Sequence, residues 1–315
     1  MTRGSSQDPT PVVWSPRYEV DIGPHVFPTV KYRKVRERLL EDGLLTEADF
    51  VEPEPATWAE LERVHTREYL EKIRKDDLSP SERRILEVPF SADLREASVL
   101  CAGGTIRAAE LALANGVGIH LGGGFHHAFP GHGEGFCLLN DVAVAVRALQ
   151  DRRRIRRAAV IDLDVHQGNG TAEIFRAAPE VFTFSMHQEW NYPTAKPPSD
   201  LDVGLEDGVS DDRYLELLEL HLSEILDEHG SELVLYVAGA DPYHEDQLGG
   251  LALSMEGLRE RDRTVFQECR RRGIPVAMTP AGGYALREDD TVEIHRNTIV
   301  EALEAAGATV PTGDP

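Results

Sequence analysis

The chain has 315 residues, 41% of them hydrophobic, enough for one large α/β domain or two ordinary ones, and one domain is the simpler expectation. Its formal charge of −22, from 33 basic and 55 acidic side chains, argues against a nucleic-acid binder, because phosphate recognition needs a basic footprint. Such a surface serves solubility or draws in cationic substrates.

Cys101, Cys137 and Cys269 are odd in number and widely spaced, with no CxxC pair. They read as free thiols in a reducing compartment rather than as a disulfide framework or a thiolate zinc site. No apolar run is expected to reach bilayer-spanning length, and the polar N-terminus lacks a signal-peptide core, so a soluble cytoplasmic protein is the expectation.

In chain order, residues 1–13 are polar and contain proline, and a loose end is expected there. A single catalytic-sized domain is expected over 14–307, with a second loose end over 308–315. Apolar, β-rich runs stand at Val117–Leu121, Ala158–Asp164, Val181–Met186, Leu233–Ala238 and Pro275–Thr279. Helical spacing over Asp141–Gln150, Asp211–His229 and Ser254–Arg272 alternates with them. This alternation predicts right-handed crossovers and an open, mostly parallel sheet flanked by helices, with ligands bound beyond the carboxyl ends of the strands.

The polar and glycine-rich segments fall at those strand ends. After the first run come Gly122-Gly123-Gly124-Phe125-His126-His127, where permissive backbone can bring two imidazoles to a substrate and divide acid and base roles between them. The second run ends in Asp162, Asp164 and His166, two residues apart, which in extended backbone face one side. Two carboxylates and an imidazole there are costly to bury without a cation, although the acids could instead cap a helix. Asp241 follows the fourth run and could complete an Asp/His/Asp site with an open position, or could be a turn residue. Tyr284, after Gly282-Gly283, could donate a hydrogen bond to an oxyanion or simply pack at a turn.

Together these segments resemble the zinc-dependent histone deacetylases. The resemblance runs from His25 to the last helix through Gly122–Ala128, Gly135–Asp141, Asp162–Gly170, Gly239–Pro242 with Leu248–Leu251, and Ala281–Tyr284. The His166-Gln167-Gly168-Asn169-Gly170 wording, His25–Tyr32 and Leu251–Leu258 look most like the class IV branch and its bacterial relatives. The resemblance implies the arginase/deacetylase fold and one zinc ion held by Asp164, His166 and Asp241. It also implies tandem histidines at His126 and His127, with Tyr284 polarising the acyl carbonyl. Asp162 becomes the partner that orients His126 rather than a ligand. Asn169 pairs with His127 where many relatives have Asp, and a neutral amide supports an imidazolium less well.

The resemblance further implies a potassium ion bound by the Asp162 and Ser185 side chains and the carbonyls of Asp164, His166 and Met186. It implies a channel walled by Gly135, Phe136 and Tyr192. The implied substrate is an acylated lysine of a protein or peptide, or an acylated small amine such as an acetylpolyamine. A two-manganese ureohydrolase on the same fold needs an Asp where this chain has Gly168. A non-catalytic acyl-lysine binder is the remaining rival, and retention of the whole residue set speaks against it.

Overall fold

The computed structural model describes residues 10–308. Eight strands form one sheet: β1 (Val12–Val13), β2 (Phe50–Val51), β3 (Val117–His120), β4 (Ala158–Asp162), β5 (Val181–Gln188), β6 (Leu201–Leu205), β7 (Val234–Ala238) and β8 (Val276–Pro280). Their order is β2-β1-β3-β8-β7-β4-β5-β6, and every neighbouring pair is parallel. The sheet is thus parallel throughout rather than mostly so.

Four early helices, α1 (Lys31–Glu41), α2 (Trp58–Leu61), α3 (Arg67–Lys75) and α4 (Pro80–Leu86), precede the long α5 (Ala92–Asn115). The crossovers supply α6 (Asp141–Asp151), α7 (Asn169–Phe175), α8 (Asp211–Glu228) and α9 (Met255–Arg272), and α10 (Glu288–Ala305) closes the chain. The helices expected at 141, 211 and 254 are α6, α8 and α9, with Ser254 as the N-cap of α9.

Both faces of the sheet are covered, so the central strands read as unbroken apolar runs. Along β4 and β7, Ala159, Ile161, Val234, Tyr236 and Ala238 join one core, while Ala158, Val160, Leu235 and Val237 join the other. Full burial of a side chain the size of Ile161 or Leu235 contributes about 1.5–3 kcal/mol.

Three expectations need correction. Val12 and Val13, assigned to a loose end, form β1 between β2 and β3 and are fully buried; a two-residue strand carries no periodic signal. Ala308 donates its N–H to Leu303 O and packs on the core, while residues 1–9 and 309–315 lie outside the described region. The third concerns α5, which is long and apolar enough by composition to cross a bilayer, yet 78% of its most apolar window is buried inside the protein, against α6 and β3.

One buried ion pair ties the sheet to the strand-end loops. Arg261 on α9 is fully buried, and its Nη1 donates to the carbonyl of Gly239 at 2.6 Å and of Leu163 at 3.3 Å. Its neighbour Asp262 accepts from Arg261 Nε at 2.9 Å, from Thr298 Oγ1 at 2.5 Å and from the Tyr236 hydroxyl. Asp262→Ala leaves a buried guanidinium without its counter-charge and should cost about 3–5 kcal/mol, read as a lowered urea midpoint. A midpoint unchanged from wild type would refute this reading of the pair.

Candidate active site

The loop after β3 carries the histidine pair. Gly123 and Gly124 take φ of +77° and +80°, and a Cβ on Gly124 would stand 2.4 Å from Pro280 O, so only glycine fits. Asp141, the first residue of α6, accepts the N–H of Gly124 at 3.0 Å and of Phe125 at 2.7 Å, holding the bend from outside.

His126 and His127 are both buried and face each other, Nε2 to Nε2, at 3.1 Å. Their outer nitrogens meet different partners: His126 Nδ1 donates to Asp162 Oδ2 at 2.7 Å, and His127 Nδ1 to Asn169 Oδ1 at 2.7 Å. Burial opposes the charged form of His126, but Asp162 and Asp164 prevail and raise its pKa to about 9. For His127, burial together with the charges of His126 and His166 drives the pKa well below the usual histidine value, against which the Asn169 hydrogen bond counts for little. One ring is thus held as a cation and the other as a neutral base.

β4 ends at Asp162, so the single extended face expected for Asp162, Asp164 and His166 does not form. The backbone bends, and Asp164 Oδ1 accepts the N–H of His166 at 2.9 Å. Asp162 then faces His126, while Asp164 and His166 turn toward Asp241 from the loop after β7. His166 Nδ1 lies 3.0 Å from Asp164 Oδ1 and 3.2 Å from Asp241 Oδ2, and one ligand atom from each of the three residues falls within 4.8 Å of the others.

The Asp/His/Asp donor set fits a divalent cation. Asp241 Oδ1 accepts from Val165 N at 2.9 Å, whereas Asp241 Oδ2, also buried, has His166 Nδ1 at 3.2 Å as its one polar neighbour among the described residues. A Cβ on Gly282 would sit 1.8 Å from that same oxygen, so glycine lets the loop after β8 close over the group. The group is consistent with a zinc site.

Tyr284 lies on that loop, buried, with its ring edge-on to Phe136 at 6.0 Å. Burial, Asp241 and Asp164 all raise its pKa well above 10, so the phenol remains a donor. His127, His166 and Tyr284 open into a cavity of about 420 Å³ that also takes in Gly135, Phe136 and Tyr192, the residues expected to wall a channel. A smaller chamber of about 30 Å³ adjoins it, lined in part by Phe27, Tyr32, Phe125 and Gly282.

The remaining expected residues are Ser185 and Met186. Ser185 is the register partner of Asp162 across β4 and β5, and its hydroxyl meets His187 Nδ1 at 2.9 Å, while Met186 is fully buried in the core.

Several residues around the site were missed. Asp246 accepts the N–H of Tyr284 at 2.6 Å, Leu248 at 2.8 Å and Gly249 at 2.9 Å, clipping two loops together. Lys31 is wholly buried, its Nζ donating to Ala281 O at 2.5 Å. His65 holds the chain after the histidine pair through Phe129 O at 3.0 Å and Asn140 N at 3.1 Å. The linking glycines flag Leu248-Gly249-Gly250, but nothing local distinguishes Asp246, Lys31 or His65 from ordinary surface residues.

Without metal, burial works against a charged His166, yet Asp164 and Asp241 raise its pKa to about 10. A ligating imidazole is neutral, so zinc uptake at pH 7 must displace this proton. We expect release of at least one proton, because Asp241, raised to about 7 by burial and the Asp164 charge, gives up part of another, and an affinity rising at least roughly tenfold per pH unit through the neutral range. Calorimetric titration in buffers of different ionisation enthalpy measures both, and uptake without proton release would contradict the arrangement.

Comparison with known proteins agrees with this geometry. Residues 25–299 match the model of the histone deacetylase domain. An uncharacterized protein of Picosynechococcus sp. is 44% identical over 286 residues, covering 90% of this chain and 95% of that protein. Histone deacetylase 2 of Arabidopsis thaliana is 36% identical over 272 residues, covering 82% of this chain and 70% of that protein. The crystal structure of an HDAC homolog from Aquifex aeolicus superposes with a TM-score of 0.78 at 24% identity, covering 96% of this chain and 85% of that one, which speaks to the fold. With sequence, fold and strand-end geometry in agreement, the chain belongs to the histone deacetylase family.

Proposed function

We propose that this protein is a zinc-dependent hydrolase that removes acetyl groups from lysine-type side-chain amides. The observation that carries this reading is the buried Asp164–His166–Asp241 group lying beside a histidine pair and Tyr284 at one cavity of about 420 Å³.

A zinc ion held by Asp164, His166 and Asp241 would supply Lewis acidity toward the amide carbonyl and toward a water molecule. The protein's own groups do the rest. The histidine pair, whose unprotonated nitrogen is His127 Nε2 facing His126 Nε2 at 3.1 Å, takes a proton from the attacking water. The Tyr284 hydroxyl donates to the carbonyl oxygen as it gains negative charge. As the C–N bond breaks, the histidine pair delivers a proton to the leaving amine, giving acetate and a free lysine-type amine. Asp162 keeps the His126 ring oriented beside the reacting atoms through the 2.7 Å Nδ1–Oδ2 hydrogen bond.

Phe136 and Tyr192 present aromatic walls suited to the aliphatic stem of a lysine. The adjoining chamber is small beside the main cavity, about 30 Å³ against about 420 Å³, and a short acyl group such as acetyl suits it better than a long chain. A second reading, an acetylpolyamine hydrolase, draws support from exposed Glu87 lining the cavity, a carboxylate available to a second amine. Potassium at Asp162 and Ser185, and membership of the class IV branch, belong to the same proposal; the β4–β5 register and Asn169 support them.

Zinc-loaded protein should hydrolyse acetyl-lysine peptides or acetylpolyamines well ahead of octanoyl- and myristoyl-lysine peptides, and a chelator should abolish turnover. A myristoyl preference would defeat the acetyl assignment. Tyr284→Phe should lower kcat by about 10²–10³-fold with bound zinc unchanged. Full activity of that variant would remove Tyr284 from the reaction.

A further inference from the structure

Asn169 poses a problem that a carboxylate at the same place would not. An amide has one accepting and one donating end, and only its oxygen can take the Nδ1–H of His127. Rotated by half a turn, it would present N–H to N–H. The His127 proton would then have to move to Nε2, the atom that faces His126 and the cavity.

What fixes the amide lies on its far side. Asn169 Nδ2 donates to Glu134 Oε1 at 2.7 Å, and a carboxylate offers only acceptors. The donor end of Asn169 is therefore committed outward and Oδ1 inward, where it receives His127 Nδ1 at 2.7 Å and Gly170 N at 3.0 Å. Glu134 is itself held firmly. The Tyr192 hydroxyl donates to the same oxygen at 2.9 Å, and His132 Nε2 reaches the other at 3.1 Å. Its backbone exchanges hydrogen bonds with Cys137 at 3.0 and 2.9 Å, and its side chain is 19% exposed.

We propose that Glu134 is a positioning residue of the active site: by accepting from Asn169 it turns the amide oxygen toward His127 and so fixes the tautomer with an unprotonated Nε2. The carboxylate that would otherwise touch the ring stands one residue removed, and it braces Tyr192 with the same oxygen. This rests on the hydrolase reading above for its consequence in turnover, but not for the tautomer.

Two measurements on zinc-loaded protein test it. Two-bond proton–nitrogen correlation spectra of 15N-histidine protein should give His127 as the Nδ1–H tautomer. Glu134→Met, similar in size but without an acceptor, should lose that single state. In turnover it should lower kcat on the order of 10-fold with KM unchanged. Glu134→Ser, too short to reach Asn169, should behave alike and serves if the methionine variant folds poorly. Asn169→Asp alone sets two carboxylates face to face and should also be impaired. Combined with Glu134→Met it should recover kcat and the Nδ1–H state, because a carboxylate accepts with either oxygen.

The proposal is overturned if Glu134→Met and Glu134→Ser keep the wild-type tautomer and kcat, or if their loss is equally large when combined with Asn169→Asp. Wild-type protein that hydrolyses no acyl amide would instead defeat the hydrolase reading, leaving the spectra to decide the role of Glu134.

Discussion

Burying the carboxylates of Asp162, Asp164 and Asp241 at adjoining strand ends is the constraint on which the rest of this structure depends. Taking one ionised carboxylate out of water costs several kcal/mol after relaxation, so three in one cluster demand dense compensation. Backbone N–H groups supply part of it: Asp162 receives Asp164 N at 3.2 Å, Asp164 receives Gly282 N at 2.7 Å, and Asp241 receives Val165 N. Cationic groups supply more, through His126, and more distantly through Lys31, whose pKa burial lowers to about 8 while Asp241 and Asp164 pull it upward. What remains is Asp241 Oδ2, which receives no backbone N–H and meets only the His166 ring at 3.2 Å, a ligand atom suited to a divalent cation.

The same demand explains how the loops are built. The loop after β8 must come within contact of two carboxylates, which Gly282 permits, and must carry Tyr284 back over the cavity, which Asp246 secures. Arg261 binds the carbonyls of Leu163 and Gly239, so the two segments that bear Asp164 and Asp241 share one anchor beneath them. Each of these two clips is one side chain that holds the backbone of more than one segment. A site tolerant of only small displacements is thereby carried on segments that are irregular in conformation.

The two histidines, adjacent in sequence, are made chemically unlike by what stands behind them. A carboxylate behind His126 sustains a cation, whereas an amide behind His127 does not, and the charge of one ring further discourages the other. Titratable groups pushed apart in this way are suited to complementary roles in one reaction. The arrangement also sets the His127 ring edge-on to Tyr192 at 5.0 Å and Tyr284 edge-on to Phe136 at 6.0 Å, so aromatic rings flank the reacting groups.

The sequence by itself determined the five principal strands, three of the helices between them (α6, α8 and α9), and the rim where His126, His127, Asp164, His166, Asp241 and Tyr284 gather. It could do so because long buried strands write continuous apolar runs, and because glycine-flanked polar residues after such runs mark strand ends. Tertiary structure decided what short or non-local features conceal. The strands β1 and β2 have two residues each, and edge strand β6 alternates with Asp202 and Gly204, so none carries a readable period. The apolar composition of α5 became a core helix only through its packing. Glu134, Asp246, Lys31 and Arg261 matter because of atoms brought to them from 35, 38, 250 and 98 residues away, distances over which no local pattern records a contact.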